Sequence, residues 1–259
     1  MRIPIYQIDA FTDKQFKGNP AAVCPLTEWV TEELMQNIAA ENNLSETAFF
    51  VKKDNEYELR WFTPKTEVDL CGHATLASAF VVLNYLDKKK EKIIFNTRSG
   101  RLEVSKKDKL LSMIFPSREG KKTEIPEALI KGLGKKPKEA YKSRDYMAVF
   151  ETEEEVKNLS LNIDELVKLD GLGVIATAKG NKVDFVSRFF APKEGIDEDP
   201  VTGSAHCTLV PYWTKIFGKS KFTALQLSQR GGRLFCVDLG DRVEISGEAI
   251  SYLNGYINV

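Results

Sequence analysis

Histidine is nearly missing from this chain: there are two among 259 residues, His73 and His206. Imidazole chemistry therefore has only two places to occur. Cysteine is sparse as well. Cys24, Cys71, Cys207 and Cys236 are scattered and form no CxxC pair, so free thiols are expected rather than disulfides. Net charge is absent too, since 37 basic residues balance 37 acidic ones. No global field draws in nucleic acid or anionic lipid. The lysine runs "DKKKEK" (87–92) and "GKK" (120–122) alternate with acids and read as solvated turns. The longest apolar run, "ATLASAFVVL" (74–83), is too short to span a bilayer. The opening "MRIPIYQIDAF" lacks the apolar core and cleavage site of a signal peptide. A reduced, cytoplasmic protein with no nucleic-acid or membrane partner is expected.

What is present is strand-rich. The segments 3–11, 47–53, 57–64, 101–107, 146–151, 172–178, 183–190, 233–240 and 242–246 alternate or cluster β-branched and aromatic residues. After Thr27, read as an N-cap, Val30, Leu34, Met35, Ile38 and Ala39 recur at helical spacing. Weaker helical signals follow Pro126 and Asn162. Two further helices, 74–86 and 204–217, are apolar nearly all round, which argues burial on every side. Pro211 is expected to kink the second or to start part of it.

An internal repeat organises these elements. "RWFTPKTEVDLCGHAT" (60–75) can be laid on "RFFAPKEGIDEDPVTGSAHCT" (188–208). Arg60, Phe62, Pro64, Lys65 and Asp69 match Arg188, Phe190, Pro192, Lys193 and Asp197 at an offset of 128. Three extra residues then enter, and Gly72 and Ala74 match Gly203 and Ala205 at 131. The expected fold is α+β with two pseudo-symmetric halves, each a barrel-like, mostly antiparallel sheet wrapped around a central helix, meeting at a cleft. The boundary is placed in "PSREGKKTEIPE" (116–127), giving halves 1–116 and 117–248. The last ten or so residues, 249–259, are a candidate to return to the first half.

Both buried helices begin after a glycine turn, "CGHA" and "TGSA". A helix start exposes unpaired N–H groups and the positive end of the macrodipole, which suits a carboxylate. A bland alternative is that Gly72 and Gly203 only make tight turns. Cys71 and His73 could be nucleophile and base, but neighbouring side chains are expected to fan apart, and no third group to orient the imidazole is visible. A two-thiol racemase would need a partner cysteine, yet the matching position is Thr202. Cys71, His73, His206 and Cys207 have zinc-compatible donors, but the last two are adjacent on a helix and point about 100° apart. No metal is expected. Asp199, near the second helix start, reads as an ionised hydrogen-bond acceptor or a plain turn aspartate. Glu46, in "NLSETAFF", reads as a surface residue or as a partly desolvated general base.

Taken together, "DAFTDKQFKGNPAAV" (9–23), "NLSETAFF" (43–50), "RWFTPKTEVDLCGHATL" (60–76), "FFAPKEGIDEDPVTGSAH" (189–206) and "LSQRGGRLFCV" (227–237) resemble the phenazine-biosynthesis-like PhzF family. That family belongs to the diaminopimelate epimerase-like fold. The resemblance implies a cofactor-independent isomerase that moves a proton on a small cyclic or unsaturated amino or hydroxy carboxylic acid, and a homodimer. It assigns Glu46 as base, with His73, Asp199 and Ser204 in the site. The amides near Gly72 and Gly203 would hold the substrate carboxylate, and Asn19, Arg230, Gly231 and Gly232 would line the pocket. Thr202 opposite Cys71 departs from the two-cysteine epimerase branch. A single-cysteine racemase, or a non-catalytic member binding a metabolite or a protein, is the alternative. "SQRGGR" departs from the glycine-arginine-proline pattern of some members and leaves the substrate open.

Overall fold

The alternation in "EYELRWF" turns Tyr57, Leu59 and Trp61 to a buried face, and in the computed structural model, which describes residues 1–259, it forms a strand. Around it the chain builds, in order, β1 Arg2–Ala10, β2 Asn19–Leu26, α1 Glu32–Asn42, β3 Glu46–Lys53, β4 Glu56–Phe62, β5 Glu67–Val68, α2 Gly72–Val81, β6 Lys92–Thr97, β7 Gly100–Lys107 and β8 Leu110–Pro116. There follow β9 Lys121–Thr123, α3 Glu127–Leu133, β10 Glu139–Lys142, β11 Tyr146–Val149, α4 Glu153–Lys157, α5 Ile163–Leu166, β12 Val174–Lys179, β13 Phe185–Phe190, α6 Gly203–Phe217, β14 Lys221–Gln226, β15 Gly232–Asp238, β16 Arg242–Gly247 and β17 Ala249–Asn258. Two compact units result, Met1–Ile114 with Ser246–Val259, and Phe115–Ile245. Along its whole length β17 pairs antiparallel with β1.

The two units share one ladder. In the first, β1–β2 is antiparallel, β2–β3 parallel, β3–β4 antiparallel, β4–β6 parallel and β6–β7 antiparallel. In the second, β10–β11, β11–β12, β12–β13, β13–β14 and β14–β15 run through the same alternation. The buried helix falls at the same place in each, α2 before β6 and α6 before β14. The matching extends to side chains. Arg60 holds Glu67 through two bonds of 2.7 Å, and Arg188 holds Glu198 through bonds of 2.7 and 2.9 Å. Each guanidinium also lies over the phenylalanine two residues on, Phe62 or Phe190.

Burial of the helices follows from their composition. Seven of the first eight residues of α2 after Gly72, and most of α6, are shut from solvent. Their polar side chains satisfy themselves: Thr75 Oγ1 donates to the Cys71 carbonyl and Ser78 Oγ to that of Ala74. Four residues after Cys71 the hydroxyl makes this bond; four after Thr202, His206 Nδ1 donates to the Thr202 carbonyl at 2.9 Å. Pro211 lies inside α6, which runs through it rather than starting there. The proline removes the N–H that Cys207 O would accept, and Arg118 N supplies the replacement at 2.9 Å. The first surface helix starts later than the sequence pattern suggests. Thr31, not Thr27, is its cap, with the hydroxyl accepting from Leu34 N.

Candidate active site

Three elements of the first unit converge on one imidazole. Glu46 opens β3, whose parallel register sets it beside Ala21. Asn19 opens β2 opposite Ala10. His73 is the second residue of α2. Their side chains meet: His73 Nε2 lies 3.0 Å from Glu46 Oε2, and Nδ1 lies 3.2 Å from Asn19 Nδ2. Glu46 and His73 are 9% and 5% exposed, so the pair is nearly dry yet keeps a sliver of surface.

Cys71 also reaches the ring, with Sγ 3.5 Å from Nδ1. The expectation that the two side chains fan apart is therefore corrected. It assumed helical backbone at both residues, whereas Cys71 is the N-cap, with extended φ −140° and ψ 111°. That turn swings its side chain back over His73. The supposedly missing third group is likewise present, as Glu46 on one ring nitrogen and Asn19 on the other.

Electrostatics separate the roles. Burial first, then the Glu46 carboxylate, pushes the Cys71 thiol up to about 11, so it stays protonated at neutral pH. Burial pulls His73 down, but its acidic neighbours Cys71 and Glu46 more than reverse this, and the imidazole is raised well above its ordinary value. Because the thiol is neutral near pH 7, Glu46 is the charge that acts on the ring. A neutral ring accepts from the Asn19 amide at Nδ1 and faces the Glu46 carboxylate with Nε2. An imidazolium can instead donate from Nδ1 to Sγ.

In the second unit the matching helix start is built from different chemistry. Thr202 caps α6 and its hydroxyl donates to Asp199 Oδ2. Gln226, at the end of β14, clamps this turn: its Oε1 accepts from Thr202 N at 2.9 Å, and its Nε2 donates to Asp199 O at 2.8 Å. Ser204 accepts from Arg144 at 3.2 Å, and Arg144 also pairs with buried Asp145 at 2.8 Å. Gly203 opens α6 as Gly72 opens α2. Gly231 N donates to Ser228 Oγ, which donates to Pro200 O, so the turn carrying half-buried Arg230 is tied beside Asp199. Gln226, Arg144 and Asp145 carry no motif in the sequence and were not foreseen. His206 is committed to Thr202 and Cys207 is pushed up to about 11 by burial. Neither belongs to the donor group that includes Cys71 and His73.

The ladder makes the asymmetry concrete. Phe62 pairs with Thr47 and its equivalent Phe190 pairs with Val174, so Glu46 corresponds to Gly173. A Cβ at Gly173 would lie 2.5 Å from the Phe189 ring. No side chain fits where the first unit holds its carboxylate.

This duplicated α+β architecture is the diaminopimelate epimerase-like fold. A hydroxyproline epimerase from Agrobacterium vitis shares it with a TM-score of 0.64 over 99% of this chain and 92% of that one, at 10% identity. The family model described as phenazine biosynthesis-like protein matches residues 8–255, and the chain belongs to that PhzF family. It is 47% identical to a protein of Pseudomonas aeruginosa named an uncharacterized isomerase, across 100% of both chains. A crystal structure of a PhzF-family protein from Enterococcus faecalis matches with a TM-score of 0.98 at 48% identity, covering 100% of both chains. No helix is long and apolar enough to cross a membrane.

Proposed function

We propose that the protein is a cofactor-independent isomerase that shifts a proton on a small cyclic or unsaturated amino or hydroxy carboxylic acid. The observation that carries this reading is the 3.0 Å contact of Glu46 with His73 in nearly dry surroundings. A general base must be held within hydrogen-bond reach of the proton it takes. Glu46 would remove a proton from a substrate carbon, the C–H electron pair would move into the adjacent unsaturated system, and the same proton would return to another carbon. His73 fixes the carboxylate's orientation and spreads its charge. Full-length relatives named as isomerases support the same class of reaction.

Asp199, Ser204, Asn19, Arg230, Gly231 and the amides at Gly72 and Gly203 are proposed to hold the substrate. Cys71 is not the proposed base, since a thiol pushed up to about 11 supplies little thiolate at neutral pH. The test is deuterium uptake by candidate small acids incubated in heavy water, followed by NMR. Glu46→Gln is expected to slow exchange by about 10²–10⁴-fold while Cys71→Ala keeps it. Equal uptake by wild type and Glu46→Gln would remove the assigned role.

A further inference from the structure

Glu46, Cys71 and His73 offer a carboxylate oxygen, a sulfur and an imidazole nitrogen within 4.8 Å of one another. We propose that these three side chains form a site for a zinc-type divalent cation, filled reversibly and incompatible with proton transfer at Glu46. The binding half stands alone; the inhibition half rests on the isomerase reading.

Geometry favours it. Zinc holds nitrogen and oxygen at about 2.0 Å and sulfur at about 2.3 Å in a tetrahedron. Such a tetrahedron has edges of roughly 3.3 Å between nitrogen and oxygen and roughly 3.6 Å between nitrogen and sulfur. In the protein, Nε2 to Oε2 is 3.0 Å and Nε2 to Sγ is 3.9 Å. The oxygen-to-sulfur edge is the widest, within 4.8 Å against roughly 3.5 Å in the tetrahedron. The Glu46 and Cys71 side chains must therefore draw together by about 1 Å to close the set around one ion, which leaves a fourth position open. A sulfur donor selects a soft or borderline cation over magnesium or calcium. The ring is already steadied at Nδ1 by Asn19, and a half-turn of that amide presents its oxygen to an Nδ1–H, as a supporting partner of a metal-bound histidine does. Cys71, the one sulfur donor of the set, is 6% exposed, between His73 at 5% and Glu46 at 9%.

The repeat sets the stoichiometry. Positions equivalent to Cys71, His73 and Glu46 are Thr202, Ser204 and Gly173, which supply no comparable donor set. One ion per chain follows. Binding must expel the thiol proton and the Nε2 proton into water, so affinity rises with pH. The occupied carboxylate and imidazole lose the lone pairs that proton transfer uses.

The experiment is equilibrium dialysis of the intact protein against zinc chloride, with cobalt(II) as a spectroscopic substitute. Expected is one zinc per chain, and a thiolate-to-cobalt charge-transfer band in wild type. Cys71→Ser and His73→Gln should weaken binding by about 100-fold, at or beyond what loss of a supporting partner costs. Thermal melts confirm that each variant is folded, and the near-isosteric serine guards against a collapsed site. No binding by wild type, unchanged binding by folded Cys71→Ser, or cobalt bound without the thiolate band would each overturn the site. Zinc bound while deuterium exchange persists would overturn the inhibition alone. Exchange that ignores Glu46→Gln would sink the isomerase reading and leave the dialysis result standing.

Discussion

A single imidazole carries most of the chemistry argued for the first unit, and its protonation can be read directly. His73 and His206 are the only histidines, and burial and charge drive them in opposite directions. His206 is pulled down to about 4 by burial, only partly opposed by its bond to the Thr202 carbonyl. His73 is raised, because its acidic neighbours outweigh burial. Two well-separated imidazole titrations are expected by NMR, one on each side of the ordinary value near 6.5. Glu46→Gln should lower His73, since burial then loses the carboxylate that opposes it while Cys71 remains a neutral thiol. An unmoved His73 would show that Glu46 is not the charge that controls it. The sequence already named Glu46, His73 and Asn19 as site residues, but not their contact. Three strands and helix ends bring them together, and only the register of β2 on β3 and the extended turn at Cys71 do so. Gln226 and Arg144 were illegible for the same reason: a clamp between a strand end and a helix start leaves no local pattern.

At the scale of elements, the repeated arginine–glutamate pair locks the strand that leads to each buried helix. Arg188 and Glu198 are 11% and 23% exposed at their side chains, against 64% for Glu32, the outer partner of Arg60. Exposed pairs contribute roughly 0–1 kcal/mol, and breaking a buried one costs about 3–5 kcal/mol. Glu198→Gln should therefore cost about 2 kcal/mol, an intermediate figure. That corresponds to a fall of about 4–8 °C in Tm for a chain of this size. Glu32→Gln should move it by less than half as much in the same calorimetric comparison, and equal effects would mean burial does not set the worth of these pairs. Both arginines and both helix starts were visible in the repeat, as were nine strands, from their alternation. Strand β2 was not, because Pro20 and Pro25 hide it. The cap at Thr31 was misplaced at Thr27, since both residues have the same hydroxyl and only the backbone turn at Thr31 distinguishes them.

Over the whole molecule, one ladder serves two units and the differences between them lie in a few polar positions. Thr75 and His206 occupy equivalent places and make the same bond, to Cys71 O and to Thr202 O. The histidine, however, adds a titratable ring with no exposed surface and leaves Nε2 without a hydrogen-bond partner. That ring must stay neutral in the fold. Its folded pKa of about 4 lies below the roughly 6.5 of an unfolded chain, so the unfolded state binds the proton first. Stability from this group is complete above pH ~6.5 and drains away as pH falls to about 4, by roughly 3 kcal/mol. His73 has the opposite sign: its raised pKa stabilises the fold below the ordinary imidazole value and the contribution is lost as pH rises through the folded one. The difference between wild type and His206→Thr cancels His73 and every carboxylate, leaving His206 alone. Threonine keeps the bond to Thr202 O in the manner of Thr75 but loses ring packing against Phe185, a cost of about 1–3 kcal/mol near pH 7. As pH falls from 7 to 4 that deficit should shrink by roughly 3 kcal/mol, until the variant matches or exceeds wild type. Urea unfolding at each pH measures the gap, and a deficit that stays constant across this window would mean that His206 does not resist its proton.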